Sequence, residues 1–455
     1  MRIPYKKQAG QIVLTVALSA IALVAAVGLA IDSGMGYLVK AKLNAAVDSA
    51  SLAAARAVTQ GSTEDAQRAS ARQSAKEFFD INYPANYLLS TPVLNTVGVT
   101  FDKGKVTIDV SARASLPVSL MGVLGFKTLD VSASAQTIRK DLDMVLVMDT
   151  SGSLVNNAKA VKAAGTSFLN KFNSTVDRVG LLHFASGVKV DLPIKPVNRG
   201  FDRATAATAI DGYDFTGGTN SAEGIWNGRN QLKNIDEVNR SSLRVIVFFS
   251  DGAPTVLSSY FFSATTGNCK VAASIYTPPD YTSSGDLFNG LYRMEYTAST
   301  KLSTAGYCDS DDVASLPAWY NAHNTPAQAT NAALGEFPIV TSSPRNVTKD
   351  MTPRKTAWTN VHRAARNVPE AIAAKARQEG IYIFTLGMGA SLTQAEGPDY
   401  EKGEDLLRCL ANTVDAPARC RKPAEPVGLY CYAATESDLS PCFTRLASAI
   451  LRISK

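Results

Sequence analysis

The apolar positions of this chain follow three patterns along its length. Residues 12–31 carry no charge, and a helix of that length spans about 30 Å, the thickness of a bilayer core. Residues 96–138 alternate between apolar and polar positions, as strands with one buried face do. From Met144 onward, short continuous apolar runs alternate with stretches of helical periodicity. This order predicts a membrane helix, a small β module and an α/β domain.

The uncharged segment from Ile12 to Ile31 predicts a membrane anchor. It is preceded by basic residues without an acid, namely Arg2, Lys6 and Lys7. The positive-inside rule therefore places the amino terminus in the cytoplasm and the chain after Asp32 outside it. A cleaved signal peptide is the alternative, because residues 28–30 are small enough for a cleavage site. In both cases the bulk of the chain lies outside the cytoplasm.

The alanine-rich sequence from Tyr37 to Val58 predicts that the membrane helix continues as an amphipathic stalk. Its apolar positions recur at steps of three and four residues, at Leu43, Val47, Ala50 and Ala54. A second helix is predicted over residues 63–79, before a proline that would stop it. The β module that follows has a hairpin signal at residues 102–104 and a further strand from Val131.

The α/β domain is predicted from two continuously apolar runs, Met144 to Met148 and Val245 to Phe249. Strands that are covered on both faces of a parallel sheet have this composition. Further strands are predicted at 179–184 and 381–387, and helices at 158–172, 221–232, 361–378 and 436–453. The predicted fold class is therefore a doubly wound α/β sheet.

A stretch of about a hundred residues, 255–355, interrupts the α/β pattern and is interpreted as a folded insertion, because it is rich in aromatic residues. The predicted organisation is then a cytoplasmic tip and transmembrane anchor (1–36), a helical stalk (37–80), a β module (81–140), the α/β domain (141–254 and 356–455) and the insertion (255–355).

Composition and charge exclude several classes of protein. Hydrophobic residues make up 45% of the chain, so it can bury a core, and the net charge of +6 over 455 residues gives no nucleic-acid footprint. The histidines, at positions 183, 323 and 362, have no second ligand at zinc spacing. The six cysteines follow the apolar segment and predict up to three disulfides. Proximity suggests Cys269 with Cys308, and two bridges among Cys409, Cys420, Cys431 and Cys442.

Polar side chains with oxygen atoms follow the buried strands at three places. Asp149, Ser151 and Ser153 come directly after the first buried strand, Thr219 lies in a loop before a helix, and Asp251 follows the second buried strand. The carboxyl ends of parallel strands meet at one edge of a sheet, where α/β folds bind ligands. An all-oxygen set suits a hard divalent cation, so we expect Mg²⁺, or Mn²⁺ or Ca²⁺.

These residues resemble the metal-ion-dependent adhesion site of the von Willebrand factor A family, which has the motif D-x-S-x-S followed by a Thr and an Asp from later loops. The resemblance covers about residues 141–450 without the insertion. It implies that Ser151, Ser153 and Thr219 bind the cation through their hydroxyls and that Asp149 and Asp251 act mainly through bound water. It also implies that an acidic oxygen of a protein partner completes the coordination.

The amino-terminal part resembles the TadG-like proteins of Tad/Flp pilus assembly. Gly10-Gln11, residues 27–32 and residues 45–55 carry this resemblance, and such proteins also end in a von Willebrand A domain. Thr15 stands where prepilin-type signals have glutamate, which favours a retained anchor. The resemblance implies a bacterial inner-membrane protein with a periplasmic bulk, whose partners are envelope or pilus-assembly proteins.

Enzymatic alternatives fit less well, and we expect no enzymatic activity. An aspartic protease needs two matching active-site turns, and Asp251 is followed by Gly252 without a Thr or Ser. Asp141 and Asp143 precede the first buried strand, whereas the nucleophile of a dehalogenase-like phosphatase must follow it. Two non-catalytic alternatives stay open: a structural spacer whose site holds no metal, and a surface adhesin or sensor unrelated to pili.

The insertion begins shortly after Asp251 and must therefore emerge at the edge of the sheet that carries the predicted site. We expect it to form a wall around the cation and to select the partner. An acidic run inside it, residues 309–312, is interpreted as a solvated loop rather than a second cation site, because it lacks the glycine of an EF-hand.

Overall fold

A computed structural model describes residues 11–58, 64–102, 105–263, 267–281, 291–295, 297 and 313–453. The chain folds into two compact units, one ending at Arg139 and the other beginning at Lys140. Each unit has its own hydrophobic core.

The first unit is built on one long helix, α1 (Gln11–Ala57), with a shorter helix, α2 (Glu64–Asn82), packed against it. The amino-terminal part of α1 exposes its apolar side chains, whereas the predicted stalk positions Leu43, Val47, Ala50 and Ala54 are fully buried. The predicted membrane segment and the predicted stalk therefore form one continuous helix. Its many alanines allow close packing and favour the helical state.

A three-stranded sheet in the order β1-β2-β3 completes this unit: β1 (Thr91–Asp102), β2 (Lys105–Pro117) and β3 (Thr128–Lys140). β1 and β2 pair antiparallel from Asp102 opposite Lys105 to Thr91 opposite Ser115, so the predicted hairpin is confirmed. Alternate residues of β2 face the core that it shares with α1: Val106, Ile108, Val110, Ala112, Ala114 and Leu116 are buried. The alternation of apolar and polar residues in the sequence therefore reflects the one face of β2 that is buried.

The second unit contains a six-stranded sheet in the order β17-β14-β7-β4-β5-β6, in which only β6 is antiparallel to its neighbour. Its strands are β4 (Leu142–Asp149), β5 (Arg178–Phe184), β6 (Val188–Leu192), β7 (Leu243–Ser250), β14 (Ile381–Met388) and β17 (Tyr430–Ala433). Helices cover both faces: α3 (Ala158–Leu169), α4 (Arg203–Asp211) and α9 (Glu436–Ile453) on one, and α5 (Ser221–Lys233), α7 (Arg354–Gln378) and α8 (Gly403–Ala411) on the other.

The continuously apolar strands are explained by these two helical layers. Met144, Leu146 and Met148 of β4 enter the core under α3 and α9, and Val145 and Val147 enter the core under α5 and α7. Each strand buries both of its faces, so its sequence does not alternate between apolar and polar residues. The doubly wound fold predicted from the sequence is confirmed.

The insertion between β7 and α7 forms two small sheets. One has the order β12-β11-β8 and the other β10-β9-β13. Their strands are β8 (Val256–Ser259), β9 (Phe262–Ser263), β10 (Gly267–Asn268), β11 (Ala273–Tyr276), β12 (Leu291–Arg293) and β13 (Val313–Ser315). A short helix, α6 (Pro326–Ala329), follows, and β15 (Ala395–Glu396) pairs with β16 (Glu401–Lys402) after α7 and β14. Leu257, Ile275 and Tyr320 of the insertion join the core beneath α5 and α7.

Several boundaries differ from the sequence prediction. α7 begins at Arg354 rather than near Val361, because its first two turns are mostly polar and their periodicity is weak. The predicted end of the insertion at residue 355 therefore falls inside this helix. β6, α4, α8 and β17 had no distinct signal in the sequence. The bridges Cys409–Cys420 and Cys431–Cys442 are the two expected among the last four cysteines, and Cys308 lies outside the described residues.

Candidate metal centre

Adjacent strands bring the first and third predicted loops together. β4 pairs with β7, so Asp149 at the end of β4 lies beside Ser250 at the end of β7, and Asp251 follows at once. Both carboxylates are buried. The edge at which they meet is the carboxyl edge of the parallel strands, as the sequence predicts.

The hydroxyls of the D-x-S-x-S motif face the second carboxylate. Ser153 Oγ donates to Asp251 Oδ1 at 3.0 Å, and Ser151 Oγ lies 3.4 Å from the same oxygen. The two serine oxygens are 3.1 Å apart, and the backbone N–H of Ser151 donates to Asp149 Oδ1 at 2.8 Å. The structure therefore joins Asp149, Ser151, Ser153 and Asp251 in one hydrogen-bonded cluster.

Thr219, the remaining predicted ligand, lies next to this cluster. It directly precedes Asn220, whose side chain caps α5 by accepting from Glu223 N–H. Its Oγ1 is 3.9 Å from the position that a Cβ on Gly252 would occupy, which places the threonine beside the Asp251 loop. Its backbone is fixed, since its N–H donates to Thr255 Oγ1 at 3.0 Å.

Backbone hydrogen bonds tie the first loop to the second. Thr216 N–H donates to Thr150 O at 2.9 Å, and Gly152 N–H donates to Gly217 O at 3.0 Å. Gly217 has φ +84°, and a Cβ there would lie 2.7 Å from Ser186 Oγ, so only glycine fits this position. The first and second loops are thus held together by contacts that do not involve the predicted ligands.

Further residues support the site without having been predicted. Ser250 Oγ donates to Asp149 Oδ2 at 2.6 Å, and Ser391 Oγ donates to the backbone carbonyl of Asp251 at 2.7 Å. Ser250 directly precedes Asp251, and that adjacency could have indicated it. Ser391 arrives from the loop after β14, and no local sequence pattern marks it.

Both carboxyl groups of the cluster have pKa values above the usual range. Burial raises the pKa of Asp149 to about 6, although hydrogen bonds from Ser250 and Ser151 oppose the shift. Burial, followed by the negative charge of Asp149, raises the pKa of Asp251 to about 8. The groups around both carboxyls are hydroxyls and amides, so they offer hydrogen bonds but no positive charge. Oxygen donors and two acids match a hard divalent cation.

The histidines are engaged elsewhere. His183 Nδ1 lies 2.6 Å from Asp191 Oδ2, His323 Nε2 lies 2.8 Å from Glu223 Oε2, and His362 Nε2 donates to Pro278 O at 2.7 Å. Within the described residues, no group of three or more His, Cys, Asp or Glu side chains is placed to hold a metal. A zinc-type site therefore has no candidate in that part of the chain.

The start of the insertion borders the second loop of the site. Thr255 and Val256 donate their N–H groups to Thr219 O at 3.0 and 3.2 Å, and Thr277 N–H donates to Thr255 O at 2.8 Å. Thr297 O accepts from Ser186 N–H at 3.1 Å. The described part of the insertion thus lies at the edge of the sheet where the sequence places it, while its selection of a partner stays a prediction.

This fold and this arrangement of loops define a class of protein. Residues 144–253 match the family model of the von Willebrand factor type A domain, and the second unit is a domain of that class. Residues 10–57 match the model described as putative Flp pilus-assembly TadE/G-like. The chain therefore has the TadG-like architecture expected from its sequence, a Tad-type amino-terminal helix followed by a von Willebrand A domain. None of the curated proteins matches the chain.

Solved structures with a similar fold include three from pili. The pilus adhesin SpaC of Lactobacillus rhamnosus GG is 16% identical with a TM-score of 0.37, over 80% of this chain and 35% of SpaC. The vWF domain of the type V pili tip protein Mfa5 of Porphyromonas gingivalis is 15% identical with a TM-score of 0.39, over 70% of this chain and 98% of that domain. The PilB minor pilin of Streptococcus sanguinis is 12% identical with a TM-score of 0.38, over 80% of this chain and 79% of PilB. This chain spans about a third of the length of SpaC, and at these values the similarities carry no functional conclusion.

Proposed function

We propose that the protein is a membrane-anchored component of Tad/Flp pilus assembly that binds an acidic group of a partner protein through a divalent cation. The anchor is the apolar segment from Ile12 to Ile31, in the bacterial inner membrane with the amino terminus in the cytoplasm. The von Willebrand A domain then lies in the periplasm. Its activity is binding rather than catalysis.

One observation carries the cation-binding part of the proposal. Asp149 and Asp251 are buried close together at the carboxyl edge of the sheet, and their neighbours are neutral hydroxyls and amides. Burying two like charges without a counter-charge is unfavourable, and a divalent cation removes that cost. Ser151, Ser153 and Thr219 would hold Mg²⁺, Mn²⁺ or Ca²⁺ with these acids, and the cation would supply a binding position for a partner's carboxylate.

The anchor and the pilus context have separate support. In the described part of the chain one helix, Ile12–Ala57, is long and apolar enough to cross a membrane. Its first twenty or so residues expose most of their apolar side chains, as a lipid-facing helix does. The Tad-type match covers this same helix, which connects the anchor to pilus assembly.

Affinity capture with full-length protein in mild detergent tests the proposal. Pilus-assembly or envelope proteins should be retained in Mg²⁺ and lost in EDTA. The variant Asp149→Ala should retain none of them in either buffer, whereas Ser437→Ala, an exposed serine on α9, should behave as the unmodified protein. Capture that is equal in Mg²⁺ and EDTA contradicts the cation-dependent mechanism. Cation-dependent capture of proteins that never include pilus components favours a surface adhesin.

A further inference from the structure

An uncharged loop of the first unit is fastened to the end of the apolar helix segment. The loop connects β2 to β3, and residues 120–126 read LMGVLGF. Asp32, the residue directly after the apolar segment, accepts the backbone N–H groups of Ser119, Leu120 and Met121 at 3.1, 3.0 and 2.8 Å. The side chain of Asp32 is fully buried by this contact.

The depth of the loop follows from its contact with Gly28. A Cβ on Gly28 would lie 2.6 Å from Leu120 Cβ, so the loop and the helix approach as closely as a missing side chain permits. Gly28 lies three residues before Ile31, or about 4.5 Å inside the end of the apolar segment at 1.5 Å per residue. A membrane that covers Ile12 to Ile31 must therefore reach the level of Leu120.

The exposed side chains of the loop suit that level. Phe126 is 55% exposed, and Lys127 beside it is exposed as well. An aromatic ring followed by a long cationic side chain is the arrangement that anchors protein segments at a bilayer interface, with the ring among the acyl chains and the ammonium at the lipid phosphates. The surrounding glycines, Gly122 and Gly125, are exposed and add no polar side chain.

We propose that the β2–β3 loop is a second membrane contact, in which Phe126 inserts into the outer leaflet of the bilayer that α1 crosses. The occupant of this apolar surface is lipid, because the loop is continuous with the lipid-facing part of α1 and is bound to it through Asp32. The inference rests on the proposed membrane anchor. Its consequence is that the three-stranded sheet stands directly on the membrane surface, with β2 running toward that surface and β3 away from it.

Depth-dependent fluorescence quenching tests the contact. Full-length Phe126→Trp protein is reconstituted in vesicles of phosphatidylethanolamine and phosphatidylglycerol that contain a lipid with a nitroxide near the headgroup end of its acyl chain. The fluorescence that Phe126→Trp adds to that of the unmodified protein should be strongly quenched. The matched control is Phe101→Trp, near the hairpin turn at the other end of β2, about 40 Å away at 3.3 Å per residue. Its added fluorescence should not be quenched.

A third variant separates failure of this inference from failure of the anchor. Leu23 is exposed in the middle of the apolar segment, and Leu23→Trp should be quenched by a lipid with its nitroxide deep in the acyl chain. Quenching of Leu23→Trp without quenching of Phe126→Trp overturns the loop contact and leaves the anchor standing. Absence of quenching at Leu23→Trp overturns the anchor and the loop contact together.

Discussion

Two regions of the von Willebrand A domain bury carboxylates, and they treat the charges differently. At α7, Arg345 donates to Oε1 of Glu370 in that helix at 2.9 Å and to Glu401 Oε2 at 2.6 Å, and Arg419 lies 3.1 Å from Glu370. We refer to these four residues as the arginine cluster. At the sheet edge, Asp149 and Asp251 have hydroxyl and amide partners instead. The chain itself supplies the counter-charge in the first region, whereas the hydrogen-bond partners in the second are neutral.

Other buried acids of the domain follow the pattern of the arginine cluster. Asp143 lies 3.2 Å from Arg178. Burial alone would raise the pKa of Glu223, but His323 and the hydroxyl of Tyr320 outweigh it and hold that pKa below its usual value. The pair at the sheet edge differs from these acids, and buried acids without a positively charged partner are a physical indication of a ligand site.

Removal of the Arg345 guanidinium from the arginine cluster should have the largest effect on the unfolding free energy. Arg345→Met leaves the buried Glu370 and the half-buried Glu401 without their main counter-charge, and we expect a loss of about 3–5 kcal/mol of unfolding free energy. Urea denaturation followed by tryptophan fluorescence measures it, because Trp226, Trp319 and Trp358 all lie in the second unit. Arg445→Met, at an exposed arginine, should change stability little. Equal effects of the two variants would contradict a stabilising role for the cluster.

Addition of a divalent cation should cause the second-largest change in the unfolding free energy. Mg²⁺ at a hundred times its Kd should raise the unfolding free energy by about 2.7 kcal/mol, because it binds the folded state alone. Thermal unfolding of the full-length protein in detergent, with Mg²⁺ and with EDTA, measures the gain. Ser151→Ala should abolish it and Ser437→Ala should retain it. A Tm that does not respond to Mg²⁺, Mn²⁺ or Ca²⁺ would support a structural spacer.

Acid should destabilise the region of α7 near the arginine cluster. Burial, and then the positive charge of Arg366, lowers the pKa of His362 to about 3. The unfolded state therefore binds more protons than the folded state between about pH 6.5 and 3, and stability falls as the pH falls through that window. We expect a loss of about 3 kcal/mol between pH 6.5 and 4, with a shallower slope in His362→Gln. Parallel urea curves at several pH values would show it, and identical slopes in both proteins would refute it.

The sheet edge should respond to pH in the opposite direction when no cation is present. The folded-state pKa values of Asp149 and Asp251 are raised, so in EDTA stability is lost as the pH rises from about 4 to 8. Asp251→Asn should therefore stabilise the domain in EDTA at pH 8 by about 1 kcal/mol while it abolishes the response to Mg²⁺. The same denaturation measurements serve here. Destabilisation by Asp251→Asn in EDTA would show that the acids are balanced by something other than a cation.

The sequence predicted the features that depend on local pattern. The apolar runs of β4 and β7 identified the central strands because helices cover both of their faces, and the strand ends then located Asp149 and Asp251 at one edge. The edge strands and the start of α7 were not predicted, because half-buried, partly polar segments have weak hydrophobic periodicity. Ser391 was not predicted for another reason. It lies 140 residues from Asp251 in the sequence, and only the folded chain brings the two together.

The bridge between Cys431 and Cys442 has a consequence for the open side of the sheet. β17 is one of the two edge strands of the six-stranded sheet, and this bond connects it to α9, which packs on it. Proteins that assemble by strand exchange must release an edge strand so that a donor segment can take its place. Here release would require the terminal helix to leave as well, or a reductant to cut the bond first. In an oxidising compartment the bond therefore disfavours strand exchange at the β17 edge of the sheet.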